Sequence, residues 1–290
     1  MKTTKKNFWL NNFAIDDFIV SALKEDMYYG DITTDSICAS LDNPVFEINL
    51  TSRVDGVLCG RSVFERVFEI LAQDKVEVEF FFSDGDEIKK GDILASIKGD
   101  ARLILMGERL SLNFVQKMSG IATFTRKFQD IASKYNVDVV DTRKNTPNFR
   151  IFEKYSVKVG ANRMHRFNLS DCVMLKDNHI ALYGSSITKA VQEVRKSISH
   201  AHKIEVECDT KEQVLECLEN KVDIIMLDNM TPEQMKECCE IINKRAIVEA
   251  SGCVTLDNIE DIAKSGIDII STSAIVMKAP TLDLGFDYKN

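Results

Sequence analysis

Hydrophobic and polar positions divide the chain into two regimes near residue 135. Beyond it, short apolar runs recur: VDVVDTR (137–143), CVMLKD (172–177), KIEVEC (203–208), VDIIMLD (222–228), AIVEASG (246–252) and IDIISTS (267–273). Each reads as a buried strand, with amphipathic helical stretches between. Near-continuous apolar strands separated by helices are the mark of a parallel sheet covered on its faces. The last four runs repeat at the length of one strand-plus-helix unit, so the pattern predicts an α/β barrel or a doubly wound sheet. Thr231-Pro232 supplies a cap followed by proline at the first helical position, which predicts a helix over 232–243. A second helix begins near Thr255 and Asn258 and stops at Gly266.

The first third alternates differently. Its pattern predicts a helix near 15–25, strands near 45–53 and 56–60, a helix over 62–72 and a strand over 76–82. SDGDEIKKGDILASIKG (83–99) reads as a hairpin from its Gly-Asp turns, and a long helix follows from about 102. An α+β domain therefore precedes the barrel. The boundaries expected are 1–117 for an N-terminal α/β sandwich and 118–275 for an open α/β barrel of parallel strands, with the tail 276–290 returning to the first domain.

Composition narrows the function classes. With 290 residues, 44% hydrophobic and 28% charged, the chain is an ordinary globular one. No apolar run reaches the roughly 18 to 20 residues of a membrane span, and Asn11, Asn12, Asp16 and Asp17 interrupt any leader-like stretch. The expected compartment is the cytoplasm, with no membrane partner. Eight cysteines contain no C-x2-C pair, so free, mostly buried thiols are expected rather than zinc or disulfides. A net charge of −8 argues against nucleic-acid binding. Yet Arg143 to Lys176 holds eight Lys/Arg against Glu153 and Asp171, so this stretch carries +6 and the remainder −14. Such an island is either a solvated face or a focused site for a small anion.

Position favours the second. In barrels the working residues sit where strands end and loops to the next helix begin. The ends here are Asp141-Thr142-Arg143-Lys144, Lys176-Asp177-Asn178-His179, Glu207, Asp228-Asn229, Ser251-Gly252 and Ser271-Thr272-Ser273, all polar. Arg143, Lys144 and Lys176 would meet Glu207 and Asp228 at one rim, with His165-Arg166 also in the island. Arginine grips carboxylate or phosphate in two-pronged fashion, so several cations on one rim imply a multiply anionic substrate. Glu207 and Asp228 suit sugar hydroxyls or a hard divalent cation. Ser251-Gly252 and Ser273-Ala274 lie where barrels often bind phosphate through backbone N–H groups.

GERLSLNFVQKMSGIAT (107–123), the long run DTRKNTPNFRIFEKYSVKVGANRMHRFNLSDCVMLKDNHI (141–180), IEVEC, IIMLDNM and EASG resemble the quinolinate phosphoribosyltransferase family. KEDMYYGDITT (24–34) and GVLCG (56–60) resemble its amino-terminal segments. The resemblance implies a homodimer making nicotinate mononucleotide, carbon dioxide and pyrophosphate from quinolinate and phosphoribosyl pyrophosphate (PRPP) with Mg2+, a step of NAD biosynthesis. It assigns Arg143, His165, Arg166 and Lys176 to the quinolinate carboxylates, and Lys144 to the pyrophosphate side. Thr142 belongs to the same substrate-binding stretch. Arg109 is expected to enter the neighbouring subunit's active site. Glu207 and Asp228 match the ribose and magnesium carboxylates, and Ser251-Gly252-Cys253 with Ser273-Ala274 match the 5′-phosphate loops. Lys144, Lys176, Glu207 and Asp228 form the expected catalytic set. Assembly beyond the dimer stays open.

Three places depart from the family pattern. Ala161-Asn162-Arg163-Met164 stands where glycine-rich sequence is usual, Ser273 replaces glycine, and Met277-Lys278 replaces His-Ser. A molybdenum-operon relative with another acceptor is one alternative, and Ser271-Thr272-Ser273-Ala274 leans towards it. A non-catalytic carrier or sensor is another, because DGDEIKKGDILASIKG resembles a biotin- or lipoyl-domain edge, although the attachment lysine is missing.

Overall fold

The computed structural model describes residues 10–288 and divides into two compact units. The first takes in the chain up to 124, residues 147–160 and the segment from 279 onward; the second comprises 125–146 and 161–278. A single cut after residue 117 therefore does not describe the division. Residues 147–160 lie in the middle of the barrel sequence, yet their apolar face, with Phe149, Phe152 and Tyr155, packs in a core shared with Phe18, Val63 and Phe114. The expectation for residues 1–9 of the amino terminus lies outside the described residues.

Unit one begins with α1 (Asn12–Asp26) and α2 (Ile32–Cys38), followed by β1 (Val45–Ser52), β2 (Gly56–Val57) and α3 (Arg61–Ala72). Next come β3 (Val76–Phe80), β4 (Glu87–Ile88), β5 (Ile93–Asp100) and the long helix α4 (Ala101–Ala132), which runs from this unit into the second. Strands β1, β3 and β5 sit in an antiparallel sheet whose outer strand is residues 284–288, paired with β1 through Ile48 and Tyr288. Residues 83–99 do not form the expected hairpin. β4 pairs with β2, while β5 pairs with β1 and β3, so Lys89-Lys90-Gly91-Asp92 joins two sheets. A Gly-Asp turn fixes local chain reversal without fixing which strands pair.

Helix α3 buries Phe64 and Phe68 against this sheet, while Val63 and Val67 turn to the core formed with α1 and α4. Phe64 packs edge-on against Phe80, with ring centroids 5.4 Å apart. Gly107 on α4 lets Phe68 approach, since a Cβ there would stand 2.6 Å from the ring. Asp84 ties the unit together: its Oδ1 accepts from the Gly60 and Arg61 N–H groups at the start of α3, and its Oδ2 accepts from the Tyr155 hydroxyl at 2.7 Å.

Unit two carries six parallel strands: β6 (Asp138–Val140), β7 (Val173–Leu175), β8 (Ile204–Cys208), β9 (Ile224–Asp228), β10 (Ile247–Ser251) and β11 (Ile269–Ser271). Their order is β6-β11-β10-β9-β8-β7, an open barrel with β6 and β7 at its edges. All six apolar runs become strands. α5 (Arg150–Ala161) follows β6 in sequence; α6 (Asp177–Ala181) and α7 (Ile187–Ser197) follow β7. α8 (Lys211–Glu219), α9 (Pro232–Ile242), α10 (Ile259–Ala263) and α11 (Ala274–Met277) follow β8 to β11 in turn, and β12 (Leu284–Tyr288) closes the chain. Thr210 with Gln213 and Thr231 with Gln234 form reciprocal caps that start α8 and α9 sharply after the strand loops. At the opposite strand ends, Asp223 accepts from the Ile204 N–H and Asp268 from the Val248 N–H. These bonds fix the register, and with it the positions of the residues at the far rim.

Candidate active site

Side chains two apart on a strand share a face, so Glu205 and Glu207 of β8 both point into the barrel at different depths. Glu207, near the rim, accepts from Lys176 Nζ at 2.5 Å. Lys176 is the N-cap of α6, just beyond β7, so adjacent strands deliver the two partners. Asp228, at the end of β9, lies beside Glu207. Burial raises its pKa above the ordinary range, and the Glu207 charge adds to the rise, while a hydrogen bond from Ser251 at the end of β10 opposes it. Two neighbouring carboxylates that repel one another, one of them paired with Lys176, form a hard oxygen pair that a divalent cation would relieve.

Beyond β10 the chain turns through two left-handed residues, Gly252 with φ 99° and Cys253 with φ 48°. Glycine is required at the first: a Cβ would lie 2.3 Å from Asn229 Oδ1. Asn229 is itself left-handed and donates its N–H to the Ser251 carbonyl, while its Nδ2 donates to Asp228 at 2.6 Å. The β9 and β10 loops are thus laced together, presenting Asp228, Ser251 and Gly252 side by side. After β11, Ser273 is half-buried as the N-cap of α11, and the Ala274 N–H donates to buried Thr272 at 3.1 Å. Thr142 accepts from the Lys144 N–H at 3.0 Å, and the exposed Arg143 and Lys144 follow β6 in that turn.

His165 and Arg166 are fixed from four directions. Asp141, buried at the end of β6, accepts from the His165 N–H at 2.9 Å. The imidazole Nε2 lies 3.2 Å from Glu249 on β10 and 3.5 Å from Glu205. Nδ1 accepts from the Arg166 N–H at 2.7 Å, and the Arg166 guanidinium donates to the Cys172 carbonyl, also at 2.7 Å. The resemblance assigns His165 to the quinolinate carboxylates; in the structure its Nε2 lies between two buried acids. Burial disfavours the charged ring, yet the hydrogen bonds and charges of Glu205 and Glu249 outweigh it and raise the pKa. The Glu205 carboxyl is raised too, chiefly by burial.

Lys176, Glu207, Asp228, Ser251 and Gly252 therefore meet at one rim. Arg109 sits exposed on the part of α4 that belongs to unit one. Glu205, Glu249 and the anchoring role of Asp141 were not foreseen. The signal was available for two of them, because an acid in the middle of IEVE or IVEAS is out of place in an apolar strand unless the barrel interior holds a partner.

Comparison with known proteins agrees across both units. The family models for the quinolinate phosphoribosyl transferase N-terminal and C-terminal domains match residues 31–119 and 121–287. A probable nicotinate-nucleotide pyrophosphorylase [carboxylating] of Synechocystis is 38% identical over 273 residues, covering 93% of this chain and 91% of the relative. Its counterpart from Archaeoglobus fulgidus is 40% identical, covering 89% and 97%. Among solved structures, NadC from Streptococcus pyogenes superposes with a TM-score of 0.91 at 38% identity over 97% of this chain and 99% of that one. Nicotinate-nucleotide pyrophosphorylase from Ehrlichia chaffeensis gives 0.89 at 40%, over 99% and 100%. With both domain models matched in order and relatives at this identity aligned over nearly their whole length, the chain belongs to the quinolinate phosphoribosyl transferase family.

Proposed function

We propose that the protein transfers the phosphoribosyl group of PRPP to quinolinate with loss of carbon dioxide, yielding nicotinate mononucleotide and pyrophosphate for NAD synthesis. The observation that carries this reading is the junction at one rim of the Lys176–Glu207 pair, Asp228 and the left-handed Gly252-Cys253 turn. Cation, paired acids and open backbone N–H groups answer the three parts of the reaction: an anionic acceptor, a ribose that becomes cationic, and phosphate.

Quinolinate brings two carboxylates to Arg143, Arg166 and Lys176. Of these, Arg166 is held at its guanidinium by the Cys172 carbonyl and at its backbone N–H by His165 Nδ1, and so meets an anion with little reorganisation. As pyrophosphate leaves, positive charge grows on the ribose carbon, and Glu207 and Asp228 are the acids placed to stabilise it and to orient ribose hydroxyls. Lys144 faces the leaving group. Their oxygen pair also fits Mg2+, which when bound with PRPP would neutralise pyrophosphate. Ser251, Gly252, Cys253, Ser273 and Ala274 receive the 5′-phosphate. Decarboxylation follows from the positive pyridine nitrogen formed by transfer and requires no group from the chain.

The working assembly in this reading is a homodimer, with Arg109 completing the partner's site. Among the described residues no helix is long and apolar enough to cross a membrane. Incubation with quinolinate, PRPP and Mg2+ should release nicotinate mononucleotide and carbon dioxide in equal amounts. Turnover of another acceptor with none of quinolinate would favour the molybdenum-operon alternative, and no turnover of either would remove the enzymatic reading.

A further inference from the structure

Two buried carboxylates inside an apolar barrel are costly, and nothing in the transfer chemistry above uses Glu205 or Glu249. Glu205 is fully buried and Glu249 is 3% exposed, and the two Glu205 oxygens, Glu249 Oε1 and His165 Nε2 lie in mutual reach without a hydrogen bond of good geometry. Desolvating an acid costs several kcal/mol unless it is paired, so the two would be expected to serve something they touch. Both touch the same atom, His165 Nε2.

The geometry around that ring discriminates between two uses. His165, Glu205 and Glu249 offer donor atoms within 4.8 Å of one another, the spacing of a metal site. A metal at Nε2 requires the proton of the neutral ring to sit on Nδ1. Nδ1, however, accepts from the Arg166 N–H at 2.7 Å. A proton there would set two N–H groups against each other, so the ring's proton belongs on Nε2, directed between the acids. The ring's Nε2, 3.2 Å from Glu249 and 3.5 Å from Glu205, thus favours a clamp by the two acids over a cation site.

We propose that Glu205 and Glu249 are positioning residues: by holding His165 as its Nε2–H form they aim Nδ1 at the Arg166 amide and so set Arg166 for the acceptor's carboxylates. The chain of contacts is continuous, from β8 and β10 through the imidazole to the Arg166 backbone. Asp141, the residue after β6, holds the His165 N–H, and the Cys172 carbonyl beside β7 holds the guanidinium. Four of the six strands therefore converge on one dipeptide. A ring free to rotate would release the Arg166 amide while leaving the guanidinium charge intact. The defect would appear as poor acceptor grip rather than failed chemistry. This inference rests on the acceptor-binding reading of Arg166, and the test separates the two.

Glutamine keeps an acceptor for Nε2–H, whereas methionine fills the same volume without one. Glu249→Gln should hold the quinolinate KM within about threefold of wild type, while Glu249→Met should raise it about tenfold or more, roughly the loss of one net hydrogen bond. In both variants the PRPP KM should stay near that of the wild type. Equal quinolinate KM values in all three proteins, or a PRPP KM that rises in step, would overturn the positioning role, whatever happens to thermal stability. Failure of the acceptor reading itself would show differently, as a wild-type protein that does not use quinolinate.

A second measurement is independent of activity and of whether Glu249→Met folds. The chain has only four histidines, so imidazole nitrogen NMR of the wild-type protein is simple to read. With His165→Gln for assignment, and at a pH above the raised pKa of about 10 so that the neutral ring is read, the His165 signal should show a proton on Nε2 and none on Nδ1. A proton on Nδ1, or displacement of the Nε2 proton by stoichiometric Zn2+, would overturn the clamp.

Discussion

Lys176 and Glu207 show how one contact can serve two charges in turn. In the resting site the lysine neutralises the acid at 2.5 Å; an incoming carboxylate would compete for it and leave Glu207 free to face the ribose. Arg166 has no such partner in transit, being held by a carbonyl that stays put. Arg166→Ala should therefore weaken quinolinate binding by about 2 to 5 kcal/mol with the fold retained, as expected for a charge-assisted contact. Calorimetric titration checks this, and near-normal affinity in a folded variant would refute the role. In the proposed reaction Asp228 would serve the ribose side, because an acid facing quinolinate would repel it. Asp228→Ala should depress turnover while sparing quinolinate affinity. Steady-state kinetics paired with direct binding separates the two effects, and the opposite pattern would reassign Asp228 to the acceptor. At this scale the sequence was legible wherever a polar residue ended an apolar run: Lys176, Glu207, Asp228 and Ser251 could all be placed that way. Glu205 and Glu249 could not, because an acid buried by a histidine forty or more positions away in sequence gives no local sign of its partner.

The elements were legible in proportion to how much of their structure is local. Six parallel strands follow from six apolar runs, and α9 starts where Thr231-Pro232 says it should. Pairing is a long-range property, and there the reading of 83–99 as a hairpin failed, since β4 and β5 find partners in β2 and in β1 with β3. Two tight features of the elements have measurable consequences. The β10 loop depends on Gly252, where alanine would need both a left-handed backbone and a Cβ 2.3 Å from Asn229 Oδ1. Gly252→Ala should cost about 1 to 3 kcal/mol of stability and raise the PRPP KM more than the quinolinate KM. Denaturant unfolding and kinetics test the two parts, and an unchanged PRPP KM would take the loop out of phosphate binding. At the start of α3, Asp84 accepts two backbone N–H groups and the Tyr155 hydroxyl. Asp84→Ala should lower stability by about 2 to 3 kcal/mol, because it strands three partly buried donors that met a charged acceptor. A loss under 0.5 kcal/mol, about the scatter of ordinary surface substitutions, would show that water replaces the carboxylate there.

At the scale of the whole molecule, the proposed homodimer with a shared site makes a prediction of its own. The +6 stretch between Arg143 and Lys176 sits in a protein of net −8, which suits two polyanionic substrates meeting at one place. Arg143, Lys144, Arg163, Arg166 and Lys176 of that stretch belong to unit two, whereas Arg109 lies on α4 within the residues of unit one, exposed and more than thirty positions before Arg143. If Arg109 acts in catalysis, the simplest route is across a two-fold axis into the partner's site, where each subunit lends the same residue to the other. That arrangement makes a prediction that a purely intramolecular site does not. Arg109→Ala and Lys176→Ala homodimers should each be inactive, since every site in them lacks one residue. In a mixed dimer one site collects both defects and the other collects none, so about a quarter of the wild-type activity should return when exchange is random, half the dimers being mixed with one good site of two. Exchange can be followed independently by tagging one subunit and recovering the other with it. Rescue that tracks the recovered mixed dimer establishes the shared site; verified exchange with no rescue would confine Arg109 to its own subunit and return the dimer to a structural role.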